Sequence, residues 1–491
     1  MLPVLIISAP LAGAVAVLLG APARKTALLT SVLALVATIG ALTIYDPARP
    51  GFQELLSIPL SAELGLGFIV GVDGLSLLMI LLTTLVMLAA VWFTGKIDKY
   101  EPAFYACLLF ISAGAIGAFA SLDLFFFYAF HELALVPTFL LIGIWGAGNR
   151  AAAAWKITIY LALGSFILLI GVIMLYQALP VGSRSFDMRA LQAAAATGQI
   201  AADAQRWTYF FLLIGFGILI SLFPFHTWAP EAYAAAPGPA AMLHAGVLKK
   251  FGLYGLLRLA TPLLPEGARA WTTLLIVLLL GNIIYVGLVT LAQKRLDWML
   301  GYSSVMHMGY IFLGIASANV LSTTGAALLI FAHGLSIALL FALAGEIRIR
   351  TGTLDFADLG GLARAMPFLG LAFGIGAFAA IGLPGFANFA AELMVFFGAF
   401  RTGWDAAGFH LFQVATVLAL WGVVISTIYM LRAYRRVFMG PAPERVVVDL
   451  GRTLRVPVAL LVAALLWFGF FPQQLVRLLI PGLQTSVTAK R

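Results

Sequence analysis

The chain alternates long apolar runs with short polar breaks. A bilayer core about 30 Å thick is crossed by about 20 apolar residues in helical form. Fourteen segments meet that description: 3–20, 25–44, 74–95, 103–120, 122–146, 157–177, 208–225, 240–262, 271–292, 298–318, 323–346, 367–400, 409–434 and 456–477. Strand-like alternation over about ten residues is absent, and helices satisfy their own backbone hydrogen bonds in lipid. The expected class is therefore an all-α integral membrane protein of about 14 transmembrane helices.

Two spans carry breaks. The seventh runs into Phe223-Pro224-Phe225-His226, followed by Ala236-Pro237-Gly238-Pro239, and the twelfth contains Gly382-Leu383-Pro384-Gly385-Phe386. Proline removes a donor and clashes with the preceding turn. A matched pair of interrupted helices points to repeats around a transport path. The pattern predicts two inverted five-helix repeats. Residues 1–102 form spans 1–3, 103–262 the first repeat (spans 4–8), 263–436 the second (spans 9–13), and 437–491 the last span. Two unrelated proline kinks would give the same spacing.

Composition agrees with the pattern. Hydrophobic residues make up 63% and charged residues 10%, and the mean hydropathy is +1.05; a soluble domain is about 25% charged. The net charge of +9 is read as topology signal at span ends, not as a nucleic-acid surface. Loops after odd-numbered spans hold the larger share of Lys and Arg: Arg24, Lys25, Lys96, Lys99, Arg150, Lys156, Lys294, Arg295, Arg348, Arg350, Arg364, Arg432, Arg435, Arg436, Arg445, Arg452 and Arg455. The opposite side holds Arg49, Arg184, Arg189, Arg206, Arg258, Arg269, Arg401, Arg477, Lys490 and Arg491. The positive-inside rule then places both termini outside. The first span has neither a charged n-region nor a cleavage site, and is expected to be retained. A single cysteine, Cys107, excludes an internal disulfide.

Charged side chains inside a bilayer cost about 2.5–3.5 kcal/mol each on insertion scales. Glu132, Lys249, Lys250 and Glu392 bear that cost far from span ends. Five of the six histidines, His131, His226, His244, His307 and His333, lie in or beside spans, and histidine is the side chain that titrates nearest neutrality. Burial disfavours the charged forms of acids and bases alike, so such a set suits proton relay and makes a buried lysine a plausible gate. The competing reading is a scaffold of inactive buried ion pairs. No phosphate-binding loop, dinucleotide fingerprint or metal motif is present. Energy must come from an ion gradient or from partner subunits.

These residues sit in stretches that resemble the antiporter-like subunits of respiratory complex I, most closely the subunit M (mitochondrial subunit 4) type. The matching stretches are His131-Glu132 followed by LALVPTFLLIGIWG, FPFHTWAPEAY at 223–233, GVLKKFGLYGLLR at 246–258, YSSVMHMGY at 302–310, HGLS at 333–336 and GLPGFANFAAELMVFFGAF at 382–400. The resemblance covers nearly the whole chain. It implies a proton-translocating subunit of bacterial NADH-quinone oxidoreductase in the inner membrane. NADH, FMN, iron–sulfur clusters and quinone would be held by partner subunits, with sister antiporter-like subunits and lipid around it and no cofactor or metal in this chain. Glu132 resembles the glutamate that modulates a neighbouring lysine, Lys250 the central lysine, and Glu392 the terminal exchange group. His226, His307 and His333 resemble the connecting histidines. Glutamate at 392 favours the M type. An Mrp-type cation/proton antiporter chain, or the membrane arm of an energy-conserving hydrogenase, is the alternative.

One departure stands out. The family places a lysine seven residues before the histidine of the HTW motif, and Leu219 occupies that place. Lys249 is an additional lysine where the family is usually apolar. Successive helical residues point about 100° apart, so one of the Lys249/Lys250 pair could face Glu132 while the other faces the second repeat. Lys249 would then replace the missing lysine. Otherwise it faces another subunit or a lipid headgroup. His244 is a second departure, with no role beyond added hydration.

Overall fold

The apolar runs fold as helices because lipid offers their amides no other partner. The computed structural model describes residues 2–49, 51–404, 408–441 and 446–488, with side chains to 483. Arg445, Lys490 and Arg491, three of the orientation signals, lie outside the described residues. The chain opens with α1 (Leu2–Leu18), α2 (Ala23–Ile44), the strands β1 (Gln53–Ser61) and β2 (Leu66–Val72), α3 (Gly74–Phe93) and α4 (Glu101–Ala120). Next come α5 (Leu124–Glu132), α6 (Leu135–Trp145), α7 (Arg150–Gln177), α8 (Met188–Ala196), α9 (Ala202–Ile220) and α10 (Trp228–Ala235). A bent helix follows as α11 (Gly238–Leu243), α12 (Lys250–Gly255) and α13 (Thr261–Leu263), joined by π turns at His244–Leu248 and Leu256–Ala260.

The second half begins with α14 (Pro265–Leu280) and α15 (Gly287–Ala292), linked by a π turn at Gly281–Val286, then α16 (Leu296–Ala316) and α17 (Val320–Thr351). It ends with α18 (Leu362–Ala365), α19 (Pro367–Ile381), α20 (Ala387–Arg401), α21 (Leu411–Phe438), α22 (Arg452–Phe470) and α23 (Pro472–Thr488). Among the described residues ten helices, counting α5–α6 and α14–α15 as one each, are long and apolar enough to cross a membrane. Helices also stand at the other four expected positions. There α1, α19 and α20 are short, α9 carries Asp203 and Arg206 in its first turns, and α11–α13 is interrupted.

α3 and α17 are buried along their whole apolar windows, and α4 and α16 nearly so. α2, α5–α7, α14–α15, α21 and α22 form the rim and turn apolar side chains outward, among them Phe166, Val277 and Trp421. α7 lies along α9, where Gly171 and Gly215 let the backbones approach: a Cβ at Gly215 would stand 2.6 Å from Leu168 N. Small residues serve this purpose between membrane helices.

Three expectations need correction. The 53–72 segment is an antiparallel hairpin, with Ile58 opposite Phe68 and Leu56 opposite Val70, whereas no strands were expected. The carboxylate of Asp123, the N-cap of α5, also accepts from Gly67 N at 3.1 Å and ties the hairpin to the bundle. The last apolar segment ends as a helix at Phe470, and its remainder starts α23, which packs against α3 and α17. Arg258 is no loop residue: it is buried and pairs with Asp73 at 2.7 and 2.5 Å.

Candidate functional site

The break after α9 forms where Ser221 turns into the left-handed region (φ 70°) and the Phe223–Pro224 bond is cis. The freed backbone groups find partners. Asn282, in the π turn that links α14 and α15, accepts from Phe223 N at 2.6 Å and donates to Ser221 O at 3.1 Å and Val305 O at 2.9 Å. Trp228 donates from its indole to Ile218 O at 3.0 Å. The second break follows α19: Gly382 (φ 78°) and Gly385 (φ 94°) bracket Pro384 before α20 starts. Irregular backbone at membrane depth is tolerated when its polar groups find partners in the protein, as they do at the first break; at the second, Leu383 and Pro384 are exposed.

Lys250 is fully buried at the start of α12, directly after a π turn. Its Nζ lies 2.8 Å from His333 Nδ1 on α17 and 3.9 Å from Met308 Sδ on α16. The His333 ring is 5.4 Å from that of His307. His307 Nδ1 lies 2.8 Å from Ser303 O, and its Nε2 lies 2.9 Å from Ala380 O. Both neighbours are carbonyl acceptors. A neutral imidazole donates to only one of them, and a protonated ring donates to both. Carbonyls accept but do not supply a proton, so the ring passes one on only when a nitrogen leaves its carbonyl for another partner.

Ala380 belongs to the last turn of α19, so His307 reaches the carbonyl end of the broken helix. Carbonyls there lack intrahelical donors and carry the negative end of the helix dipole. Glu392 sits immediately beyond. It is buried on α20 with its carboxylate against Gly382, where a Cβ would overlap Oε2. Glu392 Oε1, the Tyr310 hydroxyl and both side-chain polar atoms of Asn388 are buried without a protein partner. Such groups in a native site call for ordered water or an ion. Among the described residues no group of His, Cys, Asp and Glu could hold a metal.

Lys250, His333, His307 and Glu392 therefore lie in sequence across the bundle. The other predicted residues do not join that string. Lys249 donates to Ser304 O at 3.3 Å and lies 5.8 Å from the Tyr233 ring centroid. The Lys249 amine thus meets α16 and the Lys250 amine lies between α16 and α17, and among the described residues neither pairs with Glu132. Glu132 lies at the bundle edge, its side chain 35% exposed, held by Ser165 and by His131 at 3.7 Å. His131 in turn stacks on Phe251 at 4.1 Å. Leu219 is buried, its Cδ2 3.1 Å from where a Cβ on Gly164 would stand. His226 is buried against Phe223 and Tyr285, with no partner for Nδ1.

Three contributors escaped the sequence reading. Asn282 is a lone amide in an apolar run, a signal that could have been used. The Asp73–Arg258 pair was hidden because each residue looks like a span-end residue; Ser76 and Tyr254 complete it at 3.3 and 3.2 Å. Tyr233 passed as one aromatic among many.

An apolar helical bundle with two broken helices, and with buried lysines, histidines and a carboxylate between them, is the pattern of an antiporter-like membrane subunit. Comparison with known proteins agrees. The family described as NADH:quinone oxidoreductase/Mrp antiporter, TM, matches residues 121–419. NADH-quinone oxidoreductase subunit M of Rickettsia conorii is 34% identical over 455 residues, 91% of this chain and 89% of that one. NAD(P)H-quinone oxidoreductase chain 4 2 of Microcystis aeruginosa is 39% identical over 399 residues, 81% and 70% of the two chains. A chain of respiratory complex I from Thermus thermophilus superposes with a TM-score of 0.90 at 29% identity, covering 100% of this chain and 99% of that chain. A chain of the Mrp complex from Dietzia sp. DQ12-45-1b, at 22% identity, TM-score 0.85 and 99% and 98% coverage, shares the fold. The chain belongs to the NADH:quinone oxidoreductase/Mrp antiporter transmembrane family, in its subunit M branch.

Proposed function

We propose that this chain carries protons through the membrane arm of an NADH-quinone oxidoreductase along Lys250, His333, His307 and Glu392. NADH, FMN, iron–sulfur clusters and quinone are the business of partner subunits, and the chain performs no redox step itself. α4 to α13 and α14 to α21 act as two inverted five-helix repeats within a fourteen-span bundle, each with one interrupted helix. The chain sits in the bacterial inner membrane with both termini outside, between sister antiporter-like subunits and lipid that cover the apolar rim. His226 lines the first break, and Glu132 with His131 tunes the string from its edge.

One observation carries this reading: Lys250, His333 and His307 are buried side by side, and His307 ends on the carbonyl of Ala380, two residues before the Gly382 against which the buried Glu392 carboxylate lies. Buried ionisable groups in membrane spans are costly and mark ion pathways. A scaffold of ion pairs fits less well, because among the described residues neither Lys250 nor Glu392 has an opposite charge within 4 Å. Glu392→Gln in the intact enzyme, reconstituted in proteoliposomes, tests the reading. Pumping per NADH oxidised should fall while electron transfer to an artificial acceptor is unchanged. Full pumping would leave the chain a scaffold.

A further inference from the structure

A cavity of about 260 Å³ lies at the loop ends beside exposed Lys96 and Ile349. Its rim carries Asp297 and Glu346, each already held by an arginine: Arg348 bonds Asp297 at 2.6 Å, and Arg350 bonds Glu346. Gly238 on α11 faces Gly345 on α17 across one wall, where a Cβ on Gly345 would stand 3.4 Å from Gly238 Cα. Side chains on both would fill that wall. Tyr233 lines the inner end and is itself buried.

Behind Tyr233 stand His244 and Lys249, two residues that depart from the family pattern. The Tyr233 hydroxyl lies 3.4 Å from His244 Nδ1, and the Lys249 amine lies 5.8 Å from the Tyr233 ring centroid. Lys249 N donates to His244 O at 3.1 Å, the i to i+5 bond of the π turn. That bond puts His244 and Lys249 one wide turn apart on the same helix, and single π turns are frequent at functional sites. His244 Nε2 is buried and has no partner. Lys249 is followed directly by Lys250, the start of the string described above.

We propose that this cavity is the proton inlet of the first repeat, with Tyr233, His244 and Lys249 as its inner end. This deepens the translocation reading and rests on it. The three residues supply what a lysine on α9 cannot, because Leu219 stands there. The transfer balances without any oxidant or reductant. The Tyr233 hydroxyl gives its proton to His244 Nδ1 and regains one from a hydronium ion entering the cavity, which leaves as water. His244 gives up its Nε2 proton, and the Lys249 amine takes it and becomes ammonium.

The test uses the intact oxidoreductase in proteoliposomes, with pumping scored per NADH oxidised and assembly checked by electron transfer to an artificial acceptor. Tyr233→Phe keeps the ring packing and removes one oxygen. His244→Leu and Lys249→Leu remove the acceptors. Gly345→Leu fills the cavity without touching a relay group, and Gly345→Ala, whose methyl makes only ordinary contact, is its control. The inlet predicts that the first four each lower pumping about twofold or more, with Gly345→Ala near the wild type. Full pumping in Gly345→Leu, or in Tyr233→Phe and His244→Leu together, overturns the inlet. Glu392→Gln separates the failures. If it loses pumping while these variants keep it, only the inlet is wrong; if it also keeps full pumping, the translocation reading itself has failed.

Discussion

The Lys250 amine on α12 and His333 Nδ1 on α17 lie 2.8 Å apart. Two unit charges at that distance repel by ~6 kcal/mol at an effective dielectric of about 20, so the pair holds one shared proton far more easily than two. On the proposed route, a second proton arriving at Lys250 would push the first toward His307. His333→Leu removes the receiving base and leaves the lysine buried with only Met308 Sδ near its amine. Pumping per NADH oxidised should fall about twofold or more, with electron transfer to an artificial acceptor retained. Unchanged pumping would break the string at its second link.

Gly382 tests the far end. Its positive φ costs a side-chain-bearing residue roughly 1–2 kcal/mol, and a Cβ would overlap the Glu392 carboxylate. Gly382→Ala should therefore lower pumping by displacing Glu392, although no ionisable group is altered. Gly374→Ala, on the same half-helix but 3.2 Å or more from its neighbours, should pump normally. Equal behaviour of the two variants would disconnect the break from the chemistry.

Asp73 and Arg258 predict a stability effect. Removing one partner of a buried pair costs about 3–5 kcal/mol because the other charge is left uncompensated. Asp73→Asn should lower the thermal denaturation temperature of the assembled enzyme. Asp73→Leu combined with Arg258→Met, which removes both charges, should recover most of the loss. A double variant as unstable as the single one would argue that the pair is not the source of the effect.

Glu132 should matter less than Glu392. Its carboxylate is 35% exposed and faces Ser165 and His131 with no lysine paired to it, because the α9 position is Leu219. Glu132→Gln should keep pumping within about twofold of the wild type. A loss as deep as that of Glu392→Gln would mean that Glu132 lies on the route.

The helices and both breaks were legible in the sequence because lipid leaves an apolar run no other structure and proline cannot continue one. Lys250, His307, His333 and Glu392 were legible as costly residues in apolar surroundings. Their order was not, since α12, α16, α17 and α20 meet only through packing distant in the chain. The 53–72 hairpin was hidden because Pro59 falls within β1 and Gly67 and Gly71 fall within β2. Arg258 looked like a span-end cation because its partner lies on another helix. The direction of Lys249 was beyond a 3.6-residue count, because the π turn at His244–Leu248 rotates the helix just before it.

The claim that protons cross between the repeats through Lys250 is tested most directly by Lys250→Met in the intact oxidoreductase. Methionine keeps an unbranched side chain in the buried site and removes the titrating amine. Proton uptake into proteoliposomes per NADH oxidised, measured with a pH-sensitive dye, should drop about twofold or more while electron transfer to an artificial acceptor stays at the wild-type rate. A wild-type ratio of protons to electrons in that variant would contradict the account.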